Sequence, residues 1–196
     1  DVGVSGGQTM NPSTKDLLDA VERVNADAVI ILPNNSNIIM AAQSAAGLSE
    51  VPCAVVPTKS VPQAFSALFS ADETASLEEN VENMTSAFAD TKTGEVTTAI
   101  KDSKDAHDNP IHNGDVIGIA DGSIEAVGSS VEDVVMSLLD TMEAEDADTL
   151  TLLAGEDFSD EQLDALVERI ESRFDELEVD AHRGEQPLYP IVFSVE

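Results

Sequence analysis

Ala28-Val29-Ile30-Ile31-Leu32-Pro33-Asn34-Asn35-Ser36-Asn37 is a short, continuous apolar run stopped by a proline and a cluster of amide side chains. A run this short and apolar on both faces reads as a buried strand of a parallel sheet. The polar cluster behind it marks the loop at the strand's carboxyl end. Ahead of it, Ser13 and Asp16 are spaced as a capping box for a helix with Leu17, Leu18, Val21 and Val24 on one face. Behind it, the sequence predicts a helix from about Ser36 to Ala46 that ends at Gly47. A second buried strand, Cys53-Ala54-Val55-Val56, then runs into Pro57-Thr58-Lys59-Ser60. Strand, helix and strand in that rhythm make a βαβ unit with a parallel sheet.

The same reasoning covers the rest of the chain. A helix is expected from Pro62 to Phe69, and a second opens on Ser76 with Glu79, carrying Leu77, Val81, Met84 and Phe88. The pattern then changes. Glu95 to Ile100 and Val116 to Ile119 read as strands, and Ala120-Asp121-Gly122-Ser123 as a tight hairpin turn into Ile124 to Val127. Further on, Ser130 with Asp133 and Ser159 with Gln162 open two more helices around a strand at Leu150 to Leu153. Strands at Glu176 to Ala181 and Ile191 to Val195 close the chain. The fold class is therefore α/β. A lobe over residues 1–100 holds a mostly parallel sheet with flanking helices and the polar loops, and a mixed α+β lobe with a β-hairpin covers 101–196. The two are expected to pack closely, as one part of a longer protein.

Composition narrows the function classes. The chain has 196 residues, 42% of them hydrophobic, enough for a real core. It has 39 Asp and Glu against nine Lys and Arg, a formal net charge of −30. That surplus repels polyanions and anionic bilayers, so nucleic acid and membrane insertion are not expected as partners. The surplus has two readings, an acidic face for a basic partner or a solvated surface; the acids are spread along nearly every helix, which favours the solvated surface. With one cysteine, Cys53, there is no internal disulfide and no cysteine-rich zinc site. No signal peptide pattern is read at the start, and a reducing, cytoplasmic setting is expected.

No catalytic constellation emerges. Neither a P-loop nor a dinucleotide-binding glycine pattern is present, and no Gly-x-Ser-x-Gly elbow occurs. His107 and His112, near Asp102, Asp105 and Asp108, are the one cluster that suggests a divalent ion; they read as solvated surface residues on a polar, mobile loop, and His182, ending a strand beside Arg183, reads as a surface residue too. Cys53 opens an apolar strand and reads as a small buried hydrophobe rather than a nucleophile. No catalytic residue and no metal ligand is assigned.

Three polar loops do stand out. In open α/β sheets ligands meet the loops at the carboxyl ends of the strands. Here those loops carry Asn34, Asn35 and Asn37 after the first strand, and Thr58, Ser60 and Gln63 after the second. The opening segment with Gly6, Gly7, Gln8, Thr9, Asn11 and Ser13 is expected beside them, and its Gly-Gly pair before a helix suits an anion. Each also has a purely structural reading, as turn and cap residues.

These residues carry a resemblance. Ser5-Gly6-Gly7-Gln8-Thr9-Met10-Asn11-Pro12-Ser13-Thr14, Ile31-Leu32-Pro33-Asn34-Asn35-Ser36-Asn37-Ile38-Ile39, Val55-Val56-Pro57-Thr58-Lys59-Ser60 and Gly184-Glu185-Gln186-Pro187-Leu188-Tyr189-Pro190 stand at four separate places. Together they resemble the C-terminal region of the fatty acid kinase A-subunit family, which is related to the dihydroxyacetone kinases. One departure is Glu185, where the pattern has Gly; it is tolerable unless the position requires φ > 0. The resemblance implies a bacterial protein whose N-terminal domain holds ATP and Mg outside this segment, so that no cofactor is expected here. The implied partners are an upstream kinase domain of the same chain and a fatty-acid-binding protein subunit. The C-terminal region would dock that subunit while its acyl carboxylate is phosphorylated. A small-molecule or phospho-ligand binding domain, with phosphotransfer or phosphatase activity of its own, is the alternative. A homo-oligomerisation role is the third.

Overall fold

The computed structural model describes residues 2–4, 11–89 and 91–196. It divides into two units, Asp1–Asp90 and Thr91–Glu196.

In the first unit, helix α1 (Thr14–Val24) opens on the expected capping box and ends at Asn25, whose φ of 51° is left-handed. Strands β1 (Val29–Ile31) and β2 (Cys53–Val55) pair in parallel, Ile30 opposite Ala54, with helix α2 (Ile39–Leu48) as the crossover. Helices α3 (Val61–Phe69) and α4 (Leu77–Ala87) follow. Both sides of the strand pair are covered. Leu17, Ile38, Ala42 and Ala45 pack with Ile31 and Val55 on one side. Val56, Ala67 and Met84 pack with Ile30 and Leu32 on the other.

Three expectations shift here. The strands are less buried than their composition suggests: Val29 is buried, whereas Ile30, Ile31 and Cys53 to Val55 are half-buried. Cys53 is thus only partly shielded. Helix α2 begins at Ile39 rather than Ser36 because Asn35 takes the intervening residues into a turn. Its side chain accepts from Asn37 N–H at 2.9 Å and its carbonyl from Ile38 N–H at 3.0 Å. Gly47 lies inside α2, which runs on to Leu48.

The second unit begins at Thr91, so the division falls at 90/91 and not at 100/101. The reason is strand pairing. Strand β3 (Lys92–Thr98) lies between β6 (Val116–Ala120) and β10 (Ile191–Val195) and belongs to their sheet. The full order adds β7 (Ser123–Gly128), β8 (Thr149–Ala154) and β9 (Glu178–Arg183), giving β7-β6-β3-β10-β8-β9. All neighbours are antiparallel except β8 and β9, the pair joined through helix α6 (Asp160–Arg173). The β6–β7 turn has Asp121 at φ 46° and Gly122 at φ 90°, the twist a two-residue hairpin needs. Helix α5 (Val131–Thr141) and α6 cover one sheet face; Val134, Leu138, Leu166 and Ile170 meet Ile191 and Phe193. The histidine segment, expected as a loop, holds a small antiparallel pair of β4 (Ser103–Lys104) and β5 (Pro110–Ile111). Asp105 closes its turn by accepting from His107 N–H and Asn109 N–H, each at 2.8 Å.

Candidate functional site

A parallel strand pair delivers both following loops to the same end, which brings two of the three polar loops together. Thr58 is the link. Its hydroxyl donates to Asn34 Oδ1 at 2.8 Å and accepts from Asn34 N–H at 3.1 Å. Asn34 sits at φ 58°, a left-handed backbone that asparagine tolerates better than most residues. In the β2 loop, Gln63 Oε1 accepts from Lys59 N–H at 2.8 Å, and Ser60 caps α3 by accepting from Gln63 N–H at 3.3 Å.

These bonds sort the rim residues by role. Thr58, Ser60 and Gln63 are buried, and Thr58 Oγ1, Ser60 Oγ and Gln63 Oε1 each bond within the rim. They hold its shape. Ser36, Asn37 and Lys59 are exposed and present its outward surface. Those groups are a hydroxyl, an amide and an ammonium, suited to hydrogen bonding and anion contact.

The third loop is divided. Gly6, Gly7, Gln8 and Thr9 lie outside the described residues. Asn11 is exposed. Ser13 serves α1: its hydroxyl accepts from Asp16 N–H at 3.2 Å and donates to Asp16 Oδ2 at 2.6 Å, which holds the Asp16 carboxyl below its ordinary pKa.

The remaining titratable groups are dispersed. In the second unit exposed His107 faces half-buried Glu125 at 3.3 Å, and exposed His182 faces exposed Asp180 at 2.8 Å. His112 stands 4.0 Å from Asp102. Among the described residues, no group of three or more His, Cys, Asp or Glu is arranged to hold a metal ion. Desolvation raises the Cys53 thiol pKa, the opposite of what a nucleophile needs.

Sequence reasoning missed a cleft of about 680 Å³ in the second unit. One wall is the segment around Leu188, Tyr189 and Pro190; Ile100, Ile117 and Ile124 supply much of the rest. The Gly184 to Pro190 segment is strapped down by side chains. Thr97 Oγ1 donates to the Leu188 carbonyl at 2.7 Å, and Gln186 Nε2 donates to the carbonyls of Leu153 at 2.8 Å and Tyr189 at 3.1 Å. Two of its residues, Glu185 at φ 54° and Leu188 at φ 70°, have left-handed backbones. The position of Glu185 therefore does require φ > 0, and glutamate there is strained. The signal that could have found the cleft is the Gly184 to Pro190 segment, which carries part of the resemblance and falls on none of the three polar loops.

All of residues 1–196 match the model of the fatty acid kinase A-subunit-like C-terminal family. The chain belongs to that family. Its similarity to YloV of Bacillus subtilis is 44% identity over 196 residues, all of this chain and 35% of YloV. With the SH1689 protein of Staphylococcus haemolyticus it is 42% over 193 residues, 98% of this chain and 35% of that protein. The chain thus spans about a third of the length of these relatives. Among solved structures, the fatty acid kinase-like C-terminal fold matches the DegV family protein Cg2579 of Corynebacterium glutamicum at a TM-score of 0.64 and 16% identity, covering 94% of this chain and 82% of that one. It matches the fatty acid kinase B3 protein of Streptococcus pneumoniae, loaded with linoleic acid, at 0.62 and 16%, covering 94% and 76%. Protein TM841 of Thermotoga maritima, described as revealing a fatty acid binding function, matches at 0.61 and 13%, covering 95% and 76%. At these identities the likeness is one of fold. The chain is a fatty acid kinase-related α/β module.

Proposed function

We propose that this chain is the docking module of a fatty acid kinase. It holds a fatty-acid-binding subunit so that the acyl carboxylate reaches an ATP- and Mg-binding domain elsewhere in the parent protein. The observation that carries the reading is the pairing of family with fold. A segment matching the C-terminal region of a kinase subunit is built like proteins described as binding, or loaded with, a fatty acid. The rim at the ends of β1 and β2 supplies hydrogen-bonding groups for such a contact, with Asn37 and Lys59 outward and Thr58 and Gln63 as its props.

Titration calorimetry with the fatty-acid-binding subunit of the same organism tests this. The expected result is binding that weakens when Asn37→Ala and Lys59→Ala are combined. No binding at either low or moderate salt overturns the reading.

The cleft beside Tyr189 favours a second reading, a small-molecule or phospho-ligand site in its own right. Its size falls within the range of ligand pockets and its walls are largely apolar. A thermal-shift screen with fatty acids, nucleotides, phosphates and divalent ions addresses it. Stabilisation by one of them supports this reading, and none by any of them removes it.

A further inference from the structure

Between Asp27 and Asp72 the only charged residues are Glu50 and Lys59, in a chain that is 24% charged overall. Helices α2 and α3 both fall inside this stretch and carry no charged side chain at all. Burial explains only part of that. On α3 the inward face holds Pro62, Gln63, Ala64 and Ala67, all buried. Its other face is apolar too: Val61 is 40% exposed, Phe65 42%, Leu68 50% and Phe69 89%. Spacings of four, three and one place these four on an arc of about 100°. Outside this stretch exposed helix positions carry acids, as at Glu78, Glu79 and Glu82 on α4. Solubility alone would have put charges on α3 as well, because two exposed phenylalanines on one stripe favour aggregation.

We infer that the outer face of α3 is a protein-docking surface, and that its occupant is an apolar groove rimmed by Lys and Arg on another protein. Depletion of charge at the centre with aromatic anchors is the composition of an interface core. Charge around it selects the partner. The stripe runs out into exposed Asp72 and Glu73, and α4, which packs beside α3, presents Glu78, Glu79 and Glu82. A second copy of this chain would bring the same acids and the same −30 charge to the contact, so self-pairing is disfavoured. A basic rim complements them at the Asp72 end of the stripe, while Lys59, exposed just ahead of the Ser60 cap, takes an acceptor oxygen of the partner at the other end. The stripe also starts at the rim of the β1 and β2 loops, since Ser60 caps α3 and Gln63 lies in its first turn. The inference rests on the docking reading above and names the surface that does the docking.

The test uses the intact parent protein and the fatty-acid-binding subunit of the same organism, with affinity measured by calorimetry at low and moderate salt. Phe65→Ser combined with Phe69→Ser is expected to weaken binding on the order of thirtyfold, the loss seen when aromatic anchors are truncated. Met40→Ser on α2, an equally apolar side chain that is 79% exposed, is expected to leave it unchanged. Both variants alter exposed positions, so an unchanged melting temperature certifies the fold. Added salt is expected to weaken the wild-type complex through its charged rim. If the wild type binds and the double variant binds equally well, the α3 surface is wrong and the docking reading stands. If the wild type fails to bind at either salt, the docking reading itself falls. If sedimentation shows wild-type self-association that the double variant abolishes, a second copy is the occupant and the basic-partner assignment is overturned.

Discussion

At the level of single residues, Glu185 and Glu95 show how the fold sets energies that a sequence does not display. Glu185 adopts a left-handed backbone that costs an L-residue about 1–2 kcal/mol, while glycine gives back part of that through unfolded-state entropy. Glu185→Gly is therefore expected to stabilise the protein by about 0.5–1 kcal/mol, read as a higher denaturation midpoint with an unchanged slope. Glu95 is half-buried on β3, and desolvation raises its pKa. With the folded pKa above the unfolded one, the native chain holds a proton that the unfolded chain has already released. The Glu95 contribution to stability is thus highest below the ordinary glutamate value, about 4.3, and is lost as pH rises through the raised one. Glu95→Gln should match the wild type in acid and exceed it at neutral pH; a difference in melting temperature that does not vary with pH would refute this. The neighbouring Tyr189 hydroxyl is also pushed up, by burial first and then by Glu95.

Among the elements, capping is the most legible feature. Ser13, Ser76 and Ser159 each form a reciprocal capping box, and each is readable because a cap is a local pattern of serine followed three residues later by an acid or amide. The start of α2 is not readable, because Asn35 competes for the same backbone groups through a turn. Strand burial is also misread at β1 and β2, where an apolar run can be only half covered by its neighbours. The β3–β10 pair supplies an element-level prediction. Gly94 lies opposite Phe193, whose buried ring occupies the space a β-carbon would take. Gly94→Ala is expected to destabilise the protein by about 2 kcal/mol by overpacking. Adding Phe193→Leu should recover part of that loss in urea unfolding, and a second variant that only adds to it would argue against the ring as cause.

For the molecule as a whole, the charge of −30 is the dominant long-range quantity. Charge repulsion acts against the compact state, and salt screens it within about 10 Å at 0.1 M. The melting temperature is expected to rise with added sodium chloride; a fall would mean that local ion pairs such as Arg169 with Asp133 outweigh the repulsion.

What the sequence determined alone was everything set by neighbours along the chain: the caps, the βαβ rhythm, the Asp121-Gly122 hairpin and the family to which the motifs point. Periodicity and capping act over one or two turns, so they survive without knowledge of the fold. The tertiary structure decided what depends on distant residues meeting. It assigned β3 to the second unit, because Lys92–Thr98 finds its partners in β6 and β10. It joined Asn34 to Thr58 across the parallel pair, strapped the Gly184 to Pro190 segment over a cleft, and left the α3 stripe facing outward. An apolar residue looks the same in sequence whether a core covers it or a partner does; only packing separates the two.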